Sequence, residues 1–278
     1  MTRPPVTPAP SLSLDDGNTI PQLGYGLYKV PAADAARLSL EAIAVGYRHL
    51  DTAAFYANEE AVGQAVRSAD VPREELFVTS KVWKDDNGYD STLRAFDASI
   101  ARLGLATLDL YMIHWPVPST DRYVDTWRAL VRLQQEGRVQ SIGVANFHAH
   151  HLERIIGETG VAPVVNQVEL HPWLPQAELR AFDAAHGIRT EAWSPLARGR
   201  VLDTPLLGDL ADKHGRTPAQ VVLRWHVELG NIVIPKASSP ERIRENLDVF
   251  DFALDDEDLA AIATLASGER TGRDPDFD

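Results

Sequence analysis

The sequence predicts a (β/α)8 TIM barrel. Short apolar or β-branched runs alternate with helix-period segments, and the alternation occurs eight times. The runs are continuously apolar, as in parallel strands buried on both faces. Eight such units in 278 residues suit a barrel, which takes about 250.

The units follow in order. LGYGLYKV (23–30) precedes ADAARLSLEAIAVG (33–46), and YRHLDT (47–52) precedes NEEAVGQAVRSA (58–69). LFVTSKV (76–82) leads to a helix over 90–104, and LDLYMIHW (108–115) to one over 123–137. SIGVANF (141–147) leads to 151–160, and VVNQVEL (164–170) to 176–187. RTEAWSP (189–195) leads to 217–230, and NIVIPKA (231–237) to 239–250. Helix ends carry Gly46, Gly104, Gly137 and Gly230, since glycine takes the left-handed position after a helix. Helix starts carry Asn58, Asp90, Thr217 and Ser239, whose side chains accept from free N–H groups. Ahead of the barrel, alternation around Asp15-Asp16-Gly17-Asn18 predicts a β-hairpin plugging its bottom. Behind it, 255–266 predicts an extra helix and 267–278 a tail. Residues 1–10, with four prolines, read as a flexible arm, and 11–278 as one domain.

Composition excludes several classes. There is no cysteine, so no disulfide framework, thiolate metal site or Cys nucleophile exists. The net charge of −13 argues against binding nucleic acid or anionic membranes. Residues 248–278 hold ten acids and two arginines, so an anionic ligand requires a local basic pocket elsewhere. No apolar run has the ~18 residues of a membrane span, and the start lacks a signal-peptide core. A cytoplasmic monomer is the expectation.

Barrel chemistry belongs at the C-terminal strand ends. There the second strand ends at Asp51, the third at Lys81 and the fourth at His114, with Tyr56 just after the second. Singly, each has an ordinary structural reading as a cap, a strand-end charge, a core imidazole or a surface ring. Together they describe one chemistry. An ammonium beside a phenol favours phenolate and is expected to lower its pKa. Asp51 holds Lys81, His114 orients a substrate carbonyl, and Tyr56 protonates it. Hydride must then come from a cofactor. The Rossmann fingerprint is absent: Gly24-Tyr25-Gly26 lacks its third glycine.

The segments GYRHLDTAAFYANE (46–59), FVTSK (77–81), IHW (113–115), NQVELHP (166–172) and IPKASSPERIREN (234–246) resemble the landmarks of the aldo-keto reductase family. The likeness runs from Ser11 to about Ala266, nearest the bacterial 2,5-diketogluconate reductase-like members. It implies NADPH-dependent carbonyl reduction, no metal, and a tetrad at Asp51, Tyr56, Lys81 and His114.

The resemblance also implies a cofactor site. Asn146 and Gln167 would hold the nicotinamide carboxamide, and Trp193 would stack beneath the ring. Ser194 and Leu196 would face the pyrophosphate. Lys236 and Arg242, with Ser238, would take the 2′-phosphate, and Glu245 and Asn246 the adenine. Arg198 and Arg200 read as solvated loop residues, and Arg242 and Glu245 alternatively as an i,i+3 pair. Two positions depart from the family pattern: Ala145 before the carboxamide asparagine and Ala237 after the strand-eight lysine.

Tyr28, Phe55, Trp83 and Trp115 are expected to wall the substrate pocket. His148, His150 and His151 read as a solvated helix start, without a metal-ligand pattern. Two alternatives stand beside the reductase: a lyase using Lys81 as a Schiff-base lysine, and a non-enzymatic NADPH-binding regulatory subunit.

Overall fold

A computed structural model describes residues 9–277. Residues 1–8 of the predicted arm lie outside the described residues. At the arm's end, Pro10 accepts a hydrogen bond from the Gln22 amide (2.8 Å). The hairpin follows as β1 (Ser11–Ser13) and β2 (Thr19–Pro21), with Leu12 opposite Ile20.

The barrel strands are β3 (Tyr25–Gly26), β4 (His49–Asp51), β5 (Phe77–Val82), β6 (Leu108–Ile113), β7 (Val139–Ala145), β8 (Val165–Glu169), β9 (Arg189–Trp193) and β10 (Ile232–Val233). Each pairs in parallel with the next. The ring closes through a parallel bridge between Leu23 and Val233, with the Gly24 amide on Val233 O (2.9 Å) and the Gly26 amide on Pro235 O (3.2 Å). Gly26 is required there because a Cβ would stand 2.7 Å from the Ile234 carbonyl oxygen. The Gly-Tyr-Gly sequence therefore serves closure of the barrel.

The helices are α1 (Ala32–Val45), α2 (Glu59–Ser68), α3 (Tyr89–Leu103), α4 (Tyr123–Gln135), α5 (Ala149–Thr159), α6 (Ala177–Ala185), α7 (Pro205–His214), α8 (Pro218–Glu228), α9 (Pro240–Leu247) and α10 (Asp256–Ala263). The sequence reading leaves α7 unassigned. It is an insertion between β9 and the helix that closes the seventh unit, started by Pro205 and stopped by Gly215 in the left-handed region. Two predicted caps behave differently from expectation. Gly88, not Asp90, precedes α3, and the Asn58 side chain turns away from α2 to brace loops. Thr217 and Ser239 cap as expected, accepting from the Gln220 and Arg242 amides.

Two apolar layers hold the barrel. Outward residues such as Val78, Tyr111, Ile113 and Val144 pack under the helices. Inside, Phe77, Leu110, Met112, Val165 and Ile232 meet Leu14 and Ile20 of the hairpin, which plugs the bottom as predicted. Above that layer the interior turns polar. Strand period two points His49 and Asp51, Thr79 and Lys81, and Glu191 and Trp193 to the inside. Among the described residues, no helix is long and apolar enough to cross a membrane.

Candidate active site

The C-terminal rim gathers the four predicted side chains. Asp51 ends β4, Lys81 lies in β5, His114 follows β6, and Tyr56 sits on a 3-10 turn (Ala54–Tyr56). Lys81 is fully buried and donates to Asp51 Oδ1 (2.7 Å), Asp51 Oδ2 (2.7 Å) and Thr52 O (3.0 Å). Those bonds use its three hydrogens. Its Nζ lies 5.2 Å from the centre of the Tyr56 ring. The Tyr56 ring is 5.6 Å from the His114 ring and 5.2 Å from that of Tyr28.

The expected lowering of the Tyr56 pKa is not what this geometry produces. Burial drives the phenol well above its ordinary value, and Asp51, Tyr28 and Glu191 push the same way. Lys81 fails to offset this because Asp51 neutralises it at contact distance. Tyr56 therefore holds its proton throughout the neutral range. Burial, then the Lys81 charge, drives His114 well below the usual imidazole range, so it is neutral.

Three of the four predicted wall residues join this group. Phe55 stacks on Trp83 with centroids 3.8 Å apart, and Trp83 stands edge-on to His114 at 5.1 Å. Tyr28 completes the wall beside Tyr56. The Trp115 ring joins no aromatic pair among the described residues, and its carbonyl is held by Asn87 Nδ2 (3.1 Å).

The predicted carboxamide residues are adjacent. Asn146 Nδ2 donates to His114 O (2.8 Å), while Asn146 Oδ1 accepts from Trp193 Nε1 (2.9 Å). Gln167 Nε2 donates to Asp51 Oδ2 (2.9 Å) and Glu191 Oε2 (2.7 Å). Asn146 (φ 63°) and Ser194 (φ 49°) hold left-handed backbone without being glycine, a strain that concentrates at functional loops. Leu196 follows on the same loop, partly buried against the core.

At the N-terminus of α9, a cavity of about 430 Å³ is lined by Lys236, Ala237, Ser238, Ser239 and Arg242. Among the described residues neither cation has a carboxylate partner, so the i,i+3 pair of Arg242 with Glu245 does not form. Glu245 instead accepts from the Thr217 hydroxyl (2.6 Å), and Asn246 is buried. Ala237 is fixed through its carbonyl, which accepts from Tyr25 OH (2.6 Å).

The tail is the main surprise. Thr271 N and Oγ1 donate to buried Glu169 Oε1 (2.5 Å each), as does Gly272 N (3.0 Å). Gly272 lies so close to Trp193 that a Cβ would overlap its ring. Arg200 pairs with Glu269 (2.6 Å) over the Trp173 ring, so it is not a merely solvated residue. The three histidines are likewise not a solvated start. His148 Nε2 meets Asp274 (3.0 Å) and His150 Nε2 meets Asp276 (3.2 Å). His151 Nδ1 accepts from the His148 amide (3.2 Å), which leaves the ring proton on Nε2, facing Asp276. Sequence reasoning missed Glu169, Gly272, Glu191, and the brace in which Asn58 accepts from Thr52 Oγ1 (2.6 Å) and donates to Leu27 O and Val30 O. The glutamate in NQVEL was the one available signal.

Fold and rim together define a barrel with a buried Lys81–Asp51 pair beside Tyr56 and His114, and a cavity lined by Lys236 and Arg242. The chain belongs to the aldo/keto reductase family, whose family model matches residues 22–267. It is 54% identical to an aldo-keto reductase of Mycolicibacterium smegmatis, over 96% of this chain and 97% of that one. It is 51% identical to methylglyoxal reductase DkgA of Escherichia coli K12, over 95% and 96%. A solved structure of a Gox0644 variant in complex with NADPH superposes with a TM-score of 0.94 at 50% identity, covering 98% and 99%.

Proposed function

We propose that this protein reduces small aldehydes, ketones or keto-sugars to alcohols with NADPH, and that Tyr56 is the proton donor. The observation that carries the reading is the buried Lys81–Asp51 pair beneath a Tyr56 that keeps its proton, facing a neutral His114. The residues present fit the cofactor. Asn146 has one N–H to spare and Gln167 an open carbonyl oxygen, which suits a carboxamide. Lys236 and Arg242 have no carboxylate partner beside a cavity large enough for a phosphate group.

When bound, NADPH supplies hydride to the carbonyl carbon. Trp193 would stack on the nicotinamide. Neutral His114 donates to the carbonyl oxygen and fixes its direction. Tyr56 passes its proton to that oxygen as negative charge develops there. The Lys81 ammonium, 5.2 Å from the ring, stabilises the phenolate left behind. Tyr28, Phe55 and Trp83 exclude water on the substrate side.

Two further points belong to this proposal. The protein acts as a single-domain monomer in the cytoplasm, and its acidity keeps it off nucleic acid. The lyase alternative loses support because Lys81 is fully buried with all three hydrogens engaged. The test is Tyr56→Phe. Carbonyl reduction, assayed with methylglyoxal and a panel of aldehydes and keto-sugars, falls by about 10²–10⁴ while NADPH binding persists. Near wild-type turnover would refute the role; no turnover by either form on the panel would favour a regulatory subunit.

A further inference from the structure

Glu191 has no part in the scheme above, yet it lies at its centre. It is fully buried in mid-β9, opposite Gln167 in the β8–β9 register. Gln167 Nε2 donates to Glu191 Oε2 (2.7 Å) and to Asp51 Oδ2 (2.9 Å). An amide nitrogen has two hydrogens, so both are used. The nitrogen end of the amide is the one at Asp51, because a carboxylate paired with Lys81 needs a donor there. What remains is Gln167 Oε1, which accepts from no group among the described residues.

Asn146 supplies the complement. Its oxygen is taken by Trp193 Nε1, and one of its two N–H groups by His114 O. It therefore presents a single free donor. A primary carboxamide needs a donor for its oxygen and an acceptor for its nitrogen, and these two side chains offer that pair in one sense only. With Asp51 as sole anchor, Gln167 keeps a rotation that its second bond now removes.

We infer that Glu191 is a positioning residue for the nicotinamide carboxamide of the cofactor, acting through Gln167. The inference rests on the reading of Asn146 and Gln167 as carboxamide partners. Local electrostatics support it. Burial, then Asp51, raises the Glu191 carboxyl to about 8, so near neutrality it accepts from Gln167 without setting a second anion beside Asp51. With Oε2 facing Gln167, the other oxygen, Oε1, faces His49 Nδ1 across 3.9 Å. Neither of those atoms has another partner.

The test compares Glu191→Val and Glu191→Gln by fluorescence titration with two ligands. One is NADPH; the other is 2′-phospho-ADP-ribose, which has every part of the cofactor except nicotinamide. Glu191→Val removes the acceptor and weakens NADPH about 5- to 10-fold, the worth of one net hydrogen bond, with the fragment unchanged. Glu191→Gln keeps an oxygen for Gln167 and restores NADPH affinity. The unchanged fragment also shows that the variant is folded. Equal losses for both ligands, or no loss for NADPH, would overturn the inference while leaving the cofactor reading intact. A wild-type protein that binds the fragment as tightly as NADPH would overturn the carboxamide reading itself.

Discussion

Lys81→Met tests the core of the site through stability as well as rate. The perturbation removes one partner of an ion pair whose side chains are 0% and 2% exposed. Asp51 is then left buried with Gln167 Nε2 as its one remaining side-chain donor, at 2.9 Å. Breaking a buried pair from one side costs about 3–5 kcal/mol, against 0–1 kcal/mol for an exposed pair. Asp51→Asn also destabilises, since it strands the ammonium. The double variant Asp51→Asn/Lys81→Met has no charge to strand and loses less than the two singles combined. Urea unfolding followed by tryptophan fluorescence measures all four proteins in one cycle. Carbonyl reduction is lost in every variant, including the restabilised one, because the phenolate loses its counter-charge. A Lys81→Met cost below about 1 kcal/mol, or additive costs in the cycle, would refute the claim that this pair is a desolvated unit.

Two other outcomes follow from the same geometry. Arg242→Ala raises KM for NADPH by about tenfold and leaves that for NADH nearly unchanged, as loss of a charge-assisted phosphate contact requires; initial-rate kinetics with both cofactors decide it, and equal effects would exclude 2′-phosphate recognition there. Glu191→Gln changes the pH dependence of stability. Burial, then Asp51, raises the folded carboxyl from its ordinary value to about 8, with Lys81, His49 and Tyr56 also around it. Wild type therefore binds the extra proton when folded and loses stability as pH rises through that window. The variant lacks this loss, so its stability relative to wild type climbs from pH 5 to 8; a flat difference in urea midpoints would show that Glu191 is not held protonated.

What was legible in the sequence was what periodicity and strand ends encode. The eight units, the hairpin plug and the rim positions of Asp51, Lys81 and His114 follow from apolar runs and where they stop. Register and long-range approach were not legible. Nothing local in RTEAW says that Glu191 faces Gln167, because that depends on the β8–β9 register. The direction of the Tyr56 shift was misread for a related reason. A lysine near a phenol lowers its pKa only when the ammonium is free, and here Asp51 takes both 2.7 Å contacts. The tail was read only as a tail, because nothing local in 267–278 names a partner. Glu169, more than a hundred residues earlier, supplies the carboxylate that organises it.

The charge distribution gains a different meaning from these contacts. The net charge of −13 is hard to reconcile with an anionic cofactor if the acids simply surround the site. They do not remain free. Asp248 and Asp251 meet Arg216, Asp255 and Asp258 meet Lys213, Glu269 meets Arg200, and Asp274 and Asp276 meet histidines. Much of the C-terminal acidity thus lies against neighbouring basic side chains. Lys236 and Arg242 are exempt from that pairing among the described residues, and they line one cavity at a helix start. Exposed charges separated by more than about 8 Å are largely screened at physiological salt. A phosphate held there, as proposed above, would therefore respond chiefly to the two unpaired cations and the α9 amides.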